Sequence, residues 1–209
     1  MPGEQRVDGR RERSRLTRAR IVDAAAALYV ERGYVATTIE DVAARADVAV
    51  QTVYYVFGTK PALLAAVLDA SIGGDTEAVA VLDRDWVDAF RTETDPAAAV
   101  SRLLEATVEI LVRAAPIYEV VRRAAADPNV LSLLESTRQR RRDDQRQLIQ
   151  ILSTSGHLRP DVDVDMAADV LYGLMNEEVF QLLVGDCGWD VDQFRAWATE
   201  LMRRELIED

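Results

Sequence analysis

The fold of this protein is decided between residues 38 and 60, where the chain reads TIEDVAARADVAVQTVYYVFGTK. A first short helix is predicted to begin after Thr38, because Thr38 and Asp41 have the spacing of a capping box with Asp in place of the usual Glu. Asp47 follows at the turn, where a left-handed backbone is expected and Asp is tolerated better than most residues. A second helix, about residues 49–56, must start within three residues of the first, which predicts a helix-turn-helix.

The side chains of the second helix favour a DNA reader over a purely structural corner. Its buried face is assigned to Val48, Val53 and Phe57. The side chains left for the other faces are Val50, Gln51, Thr52, Tyr54 and Tyr55. Gln51 and Thr52 can hydrogen-bond to base edges, and Val50 can touch a thymine methyl group. The two tyrosine hydroxyls can bind phosphates.

Two further helices flank this pair. The first is predicted from Thr17 to Gly33, with one apolar stripe formed by Ile21, Ala24, Ala25 and Leu28. The other opens with Thr59 as its N-cap and Pro61 in its first turn. Lys60, the only lysine of the chain, lies at this helix start. The macrodipole disfavours a cation there by about 0.3–1 kcal/mol, which indicates a shared external anion, although an ordinary exposed lysine is the alternative.

The charge of the chain is unevenly distributed. With 25 Lys and Arg against 36 Asp and Glu, the net charge of −11 argues against a polyanionic partner for the chain as a whole. Residues 1–60, however, carry ten basic and eight acidic side chains, and the remainder carries fifteen and twenty-eight. A basic arm contains Arg6, Arg10, Arg11, Arg13, Arg15, Arg18 and Arg20. This arm can follow a phosphate backbone or be a disordered, solubilising tail.

Together these features resemble the DNA-binding signature of the TetR family of transcriptional regulators. The matching positions are Thr38, Ala46, Val48, Thr52, Tyr54, Phe57 and Lys60. The resemblance implies that Thr38, Tyr54 and Lys60 contact phosphates, and that the groove is faced by Val50, Gln51, Thr52 and Tyr55. Three positions depart from the family pattern: Asp47 replaces the turn Gly, Ala49 replaces the Ser cap of the recognition helix, and Val56 replaces a frequent His. The lost cap is expected to cost about 1 kcal/mol.

Residues 62–209 show only helical signals. We therefore expect an all-α protein with about nine helices. The resemblance implies a basic arm and three-helix helix-turn-helix domain, residues 1–60, followed by a larger ligand-binding and dimerisation domain, residues 61–209. The last two helices are predicted at about 163–184 and 190–207. Their apolar stripes contain Met166, Val170, Leu174, Phe194, Trp197 and Leu201. These stripes can close a monomeric core, whereas the family resemblance implies a homodimer interface.

The resemblance also implies a cavity for an effector among the C-terminal helices. Candidate lining residues are Trp86, Phe90, Tyr118, Arg122, Tyr172, Met175, Asn176 and Phe180. Ordinary core packing is the alternative for each of them. Arg122 and Asn176 are the most informative, because polar side chains beside apolar stripes need partners when buried. The arginine run 138–142 is interpreted as a solvated helix face with pairing along its own helix.

Catalysis finds no support in the sequence. His157 and Cys187, the only His and Cys, have no triad or metal-ligand partner at a recognisable spacing, and there is no Gly-rich phosphate loop. We therefore expect no enzyme, cofactor or metal site. The N-terminus lacks the apolar core of a signal peptide and no stretch reaches about 18 apolar residues, so a cytoplasmic protein without a membrane partner is expected.

These observations predict a ligand-responsive, homodimeric repressor that binds a palindromic operator in double-stranded DNA and is released by an unknown small-molecule effector. Two other classes remain open. One is a helical enzyme, and the other is a helical adaptor or small-molecule-binding protein without a DNA-binding function.

Overall fold

The protein is all-helical in the part that the structure describes. The computed structural model describes the backbone of residues 3–207 and the side chains of residues 12–207. The α-helices are α1 (Gly3–Arg32), α2 (Ile39–Arg45), α3 (Val50–Phe57), α4 (Lys60–Gly73), α5 (Asp85–Arg91), α6 (Pro96–Arg123), α7 (Pro128–Thr154), α8 (Val164–Leu174), α9 (Glu177–Phe180) and α10 (Val191–Leu206). A 3-10 turn, Val81–Asp83, precedes α5, and a π-helical segment, Gln181–Asp186, follows α9. The predicted all-α class is confirmed.

One predicted helix is interrupted. The sequence indicated a continuous helix over about 163–184, whereas α8 ends at Leu174 and α9 begins at Glu177. Asn176 causes the break, because its side chain accepts a hydrogen bond from the Val179 amide at 2.8 Å and donates to the Gly173 carbonyl at 2.7 Å. An Asn side chain that binds nearby backbone groups offers an alternative to the helical ladder. This break makes ten α-helices in residues 3–207, against about nine expected.

The chain forms two compact units. The first contains the residues up to Ala78 and Pro116–Leu134, and the second contains Val79–Ala115 and the residues from Glu135 onward. Helices α6 and α7 therefore each contribute to both units. These packing units are not the predicted domains 1–60 and 61–209, because all of α4 belongs to the first unit. The functional boundary at residue 60 stays a prediction.

The first unit has an apolar core. The fully buried side chains include Ile21, Ala25, Tyr29, Val42, Leu63, Leu64 and Leu68. Thr37 is buried among them, and its Oγ1 donates to the carbonyls of Gly33 (2.9 Å) and Leu28 (3.3 Å). Gly33 ends α1 with φ 82°, a backbone conformation that residues other than Gly rarely adopt. These contacts hold the loop that leads from α1 into the helix-turn-helix.

The second unit has its own apolar core. Its buried side chains include Phe90, Leu103, Leu104, Ile149, Leu152, Leu171, Met175, Phe194 and Met202. Phe194 has no exposed surface, and its ring packs edge-on against Phe180 with 5.1 Å between centroids. The assignment of Phe194 to a dimer interface is therefore wrong, because a side chain fully covered by its own chain has no surface left for a second one.

The described residues contain no single helix that is both long and apolar enough to cross a membrane. Helices α3 and α4 reach that length and apolar content only when taken together, and they are bent by 72° at the break between them.

Candidate nucleic-acid interface and buried polar cluster

The helix-turn-helix begins with the predicted capping box. The Asp41 amide donates to Thr38 Oγ1 at 3.0 Å, and the Thr38 amide donates to Asp41 Oδ2 at 2.9 Å. The bond from the Thr38 amide is the main reason that the pKa of Asp41 lies below its usual value of 3.8. The Thr38 hydroxyl also donates to Asp41, at 2.8 Å. Thr38 is exposed, and its predicted phosphate contact would have to share a hydroxyl that already caps α2.

The turn between α2 and α3 has the predicted left-handed residue. Asp47 has φ 51°, and the Val48 amide donates to the Ala43 carbonyl at 3.0 Å. Helix α3 then begins at Val50 without a side-chain cap, as expected where Ala49 replaces Ser. The tight α2–α3 connection predicted from the sequence is confirmed.

Helix α3 presents an uncharged outer face. Val53 is 1% exposed and packs into the first unit, which turns Gln51 and Tyr55 outward, because residues four apart share a helix face. Tyr55 is 89% exposed and Tyr54 48% exposed. Val50 and Thr52 are half-buried at the sides of this face. The predicted groove and phosphate residues of α3 thus remain accessible, most fully Gln51 and Tyr55.

The described part of the basic arm is helical and makes contacts within the first unit. The guanidinium of Arg18 lies 4.7 Å from the centre of the Phe57 ring, which is half-buried rather than buried. Arg15 binds Glu12 at 2.7 Å and Glu77 at 3.2 Å. Residues 12–20 therefore belong to α1 and do not form a disordered tail. Arg6, Arg10 and Arg11 lie outside the described side chains.

Lys60 is bound by the protein's own groups. Its Nζ donates to the Val35 carbonyl at 3.3 Å and lies 4.4 Å from the centre of the Tyr34 ring. Burial lowers the pKa of Lys60, and the nearby Asp127 carboxylate opposes that shift. The N-cap of α4 is Thr59, whose hydroxyl accepts a bond from the Ala62 amide at 3.2 Å, as predicted. In this structure Lys60 holds the loop after α1, and its phosphate contact stays a prediction.

The predicted effector-site residues are divided between the two units, and the site itself stays a prediction. Tyr118 and Arg122 belong to the first unit, where Tyr118 is buried in the core and Arg122 is exposed and binds Glu119 at 2.7 Å. The other six residues belong to the second unit. Of these, Phe90, Met175 and Phe180 are buried in the apolar core, Trp86 packs against it, and Asn176 is occupied as the cap of α9.

A buried polar cluster in the second unit was missed by sequence reasoning. Arg141 on α7 pairs with Glu177 on α9 and lies over the Tyr172 ring on α8, and Thr137, Asp144 and Gln145 lie on the neighbouring turns of α7. These six residues are called the α7 polar cluster below. Thr137 is 4% and Gln145 6% exposed. The sequence does carry a signal for it: along α7 the positions 130, 134, 137, 141, 145, 148 and 152 form one helix face, apolar at its ends and polar in its middle.

Several arginines of α7 pair with other helices, which corrects the predicted pairing along one helix, whereas residues 139, 140 and 142 are exposed, as a solvated face requires. The pairs are Arg138 with Glu178 (3.5 Å), Arg141 with Glu177, Arg142 with Asp169 (2.7 Å) and Arg146 with Asp165. As residue numbers rise along α7, those of the partners fall, so α7 runs antiparallel to α8 and α9. In the Arg141–Glu177 pair the side chains are only 19% and 11% exposed.

Most residues predicted for a dimer interface remain on the surface. Met166 is 57% exposed, and Val170, Leu174, Trp197 and Leu201 are half-buried. The Trp197 ring also packs edge-on against Trp189, with 5.9 Å between centroids. Exposure at Met166 leaves apolar surface on α8 for a second chain, and the interface itself stays a prediction.

Among the side chains described, no group of three or more His, Cys, Asp or Glu residues could hold a metal ion. His157 is half-buried, and Cys187 is an exposed free thiol.

The helix-turn-helix segment matches a known family. Residues 21–67, which include α2, α3 and the start of α4, match the family described as bacterial regulatory proteins, tetR family. This segment of the chain is therefore similar to the DNA-binding segment of tetR-family regulators. That family consists of transcriptional regulators rather than enzymes. The resemblance inferred from residues 38–60 is thereby confirmed.

Relatives extend the similarity beyond the matched segment. An HTH-type transcriptional repressor of Mycobacterium tuberculosis is 35% identical over 126 residues, which is 58% of this chain and 59% of the relative. The chain thus matches about three fifths of that relative's length. Two solved structures share the fold of this chain. A putative regulator from Saccharomonospora viridis, in complex with choline, has a TM-score of 0.69 and 24% identity, over 92% of this chain and 98% of that one. NalD of Pseudomonas aeruginosa, the secondary repressor of a multidrug efflux pump, has a TM-score of 0.68 and 22% identity, over 94% and 98%.

Proposed function

We propose that this protein is a ligand-responsive, homodimeric transcriptional repressor that binds a palindromic DNA operator and is released from it by a small-molecule effector. The observation that carries the proposal is the outer face of α3, where Gln51, Tyr54 and Tyr55 stand exposed on a helix held by a tight turn. A helix whose exposed face is aromatic and amide-bearing instead of charged is suited to base edges and phosphates in a major groove.

Charge and contacts assign roles within this surface. Gln51 lies in the first turn of α3, where a recognition helix presents side chains to bases. Tyr54 and Tyr55 offer hydroxyls to phosphates or base edges. Because the chain is acidic overall, non-specific attraction to DNA is weak, and specific binding depends on two subunits that engage two half-sites about 34 Å or more apart.

Small-molecule control is supported by the buried polar side chains Thr137 and Gln145 in the otherwise apolar second unit and by proteins of the same fold. The Saccharomonospora viridis structure contains choline, which establishes that this fold can accommodate a small organic ligand. An effector releases DNA only if it binds the DNA-free arrangement more tightly than the DNA-bound one. A coupling of 1–3 kcal/mol, which is typical, changes affinity about 5- to 150-fold.

Selection of bound fragments from the source genome, followed by titration at several salt concentrations, tests DNA binding. We expect a palindromic site and an affinity that falls steeply as salt rises, because binding releases counterions from the phosphates. Gln51→Ala should change the ranking of operator sequences, whereas Tyr54→Phe should weaken all of them alike. Salt-independent association, or no bound fragment, would exclude a DNA-binding function.

The solution mass tests the homodimer. Wild type should have twice the mass of one chain, and Met166→Asp should shift it toward the monomer and reduce operator affinity, because a charge is placed in an apolar interface. Leu131→Asp is the matched control, since Leu131 is 42% exposed on a different helix, in the first unit. A monomeric wild type would contradict the proposal.

A further inference from the structure

The turn that leads into α3 contains an exposed acidic side chain that the fold does not require. Asp47 has φ 51°, in the left-handed region where Gly is unstrained and Asn is tolerated as well as Asp. The turn is closed by backbone bonds, from the Asp47 amide to the Ala44 carbonyl (3.3 Å) and from the Val48 amide to the Ala43 carbonyl (3.0 Å). The backbone at residue 47 must be left-handed, but no bond of the turn uses a negative charge.

The charge of Asp47 is not neutralised by the side chains that the structure describes. Its carboxylate makes no hydrogen bond or ion pair with any of them, and α3 begins without a side-chain cap. The nearest basic residue along the chain, Arg45, is bound by Glu31 of α1 at 2.7 Å. An exposed and unpaired carboxylate therefore stands three residues before Val50, the first residue of α3.

Positive charge flanks the opposite end of α3. The Arg18 guanidinium lies 4.7 Å from the centre of the ring of Phe57, the last residue of α3. Lys60 follows Phe57 by three residues, and its Nζ is bound only by uncharged groups, the Val35 carbonyl and the Tyr34 ring. Helix α3 itself has no charged residue. The unpaired negative charge thus lies before its N-terminal end, and the basic side chains lie at its C-terminal end.

We propose that Asp47 is a specificity-determining residue of the DNA interface, because its carboxylate weakens binding to any duplex that is held through phosphates alone. Non-specific complexes depend on the attraction between basic side chains and phosphates, and a carboxylate beside α3 opposes that attraction. In a specific complex the first turn of the recognition helix lies against base edges, which carry amino donors on cytosine and adenine, so the repulsion is smaller there. This inference rests on the proposed function, because it describes how that regulator discriminates between DNA sequences.

The macrodipole of α3 offers Asp47 a purely structural alternative. A negative charge near a helix N-terminus is favourable, although the effect falls off beyond the first turn, and Asp47 lies outside that turn. Asp41 shows what a structural carboxylate does in this segment, because it accepts a hydrogen bond from the Thr38 amide at 2.9 Å, whereas Asp47 makes no such bond. A dipole role predicts that loss of the charge lowers stability and leaves the affinity for random DNA unchanged.

Titration of the full chain with the selected operator duplex and with a random-sequence duplex of equal length tests the inference. Asp47→Asn should tighten binding to random DNA by about threefold or more at low salt and tighten operator binding less, so the ratio of the two dissociation constants falls. Asp47→Gly should act alike, because it also removes the charge and suits φ 51°. The gain should shrink as salt rises from about 0.05 M to 0.5 M, because salt screens the repulsion.

Asp186→Asn is the matched control for the change in charge. Asp186 is exposed and belongs to the second unit, so its substitution should leave the ratio of dissociation constants unchanged. Thermal melts of each variant establish that the fold is retained, and both Asn and Gly are compatible with the left-handed backbone at residue 47.

The results separate this inference from the proposed function. If wild type binds neither duplex, the proposed function fails and this inference fails with it. If wild type binds the operator and Asp47→Asn leaves the ratio of dissociation constants unchanged, only the role of Asp47 is rejected. A lower melting temperature with unchanged affinity for random DNA would assign Asp47 to the dipole of α3 instead. An equal fall of the ratio in Asp186→Asn, or a gain that does not depend on salt, would also overturn the inference.

Discussion

The helix-turn-helix and the α7 polar cluster use charge in opposite ways. Helix α3 has no charged residue, and its exposed face is formed by Gln51, Tyr54 and Tyr55 above an apolar core. Helix α7 is rich in charge and brings Arg141 into the interior, where Glu177 of α9 neutralises it. A surface that reads an external polymer needs accessible groups on one short element. A buried polar cluster needs side chains that several helices hold together, at a cost in stability.

The two regions also differ in how far apart in the chain their contacting residues lie. The capping box of α2 joins residues three apart, and the turn before α3 depends on the single residue Asp47. In the α7 polar cluster, Arg141 and Glu177 are 36 residues apart in the chain. The capping box and the turn at Asp47 form in any fold that retains this segment, whereas the Arg141–Glu177 pair exists only after the helices have packed.

The largest effect on stability is expected from a charged side chain on the buried face of α3. Val53→Asp should lower the free energy of unfolding by more than about 3 kcal/mol and abolish operator binding, because an unpaired carboxylate would replace a side chain that is 1% exposed. Urea denaturation measures the change. Val35→Asp is the control: Val35 is 83% exposed, so it should change stability by no more than about 0.5 kcal/mol. Equal effects would mean that α3 does not pack as described.

Breaking the internal ion pair should have the next largest effect. Glu177→Gln should cost about 2–4 kcal/mol in the same assay, because Arg141 would keep its buried charge without a carboxylate. Glu178→Gln removes the neighbouring pair with Arg138, in which the side chains are 51% and 43% exposed, and should cost less than about 1 kcal/mol. If both substitutions cost the same, the interior of the second unit is wetter than the structure indicates.

Lys60 makes contacts within its own chain and is also a predicted phosphate contact. Its substitution should have a smaller effect on the free energy of unfolding. Lys60→Met removes the bond to the Val35 carbonyl and the contact with the Tyr34 ring, at a cost of about 1 kcal/mol. If Lys60 also binds a phosphate, the slope of log affinity against log salt should become shallower by about one unit. Tyr34→Phe retains the ring and should leave the slope unchanged. A slope unaffected by Lys60→Met would restrict Lys60 to holding the loop.

The smallest effect concerns pH. The folded-state pKa of Asp41 lies below 3.8, chiefly because the Thr38 amide binds its carboxylate. Asp41 therefore stabilises the fold fully above the unfolded pKa, and this contribution is lost as pH falls through the lower folded value. Wild type should be more stable than Asp41→Asn at pH 6, and the difference should shrink as the pH falls below 3.8. Urea denaturation at each pH measures the difference, and a difference that does not change with pH would contradict this role of Asp41.

Much of the fold could be predicted from residues 38–60, but much of the second unit could not. The cap at Thr38, the left-handed Asp47, the uncapped start of α3 and the cap at Thr59 were all predictable, since each depends on neighbours within four residues. The break at Asn176 was not predicted, because the apolar stripe of α8 continues through it. The pairing of the arginine run was predicted along α7, whereas Arg138 and Arg142 pair across helices.

The sequence by itself determined the all-α class, the helix-turn-helix and the uncharged outer face of α3, because helical period, caps and turn residues act over a few positions. The tertiary structure alone decided that Phe194 lies in the core, that Tyr118 and Arg122 belong to a different unit from the other proposed effector residues, and that Gln145 is buried with its Oε1 unpaired among residues 3–207. The physical reason is that burial depends on which faces of distant helices meet. The pattern of apolar residues within a single helix does not determine which neighbouring helix will cover it.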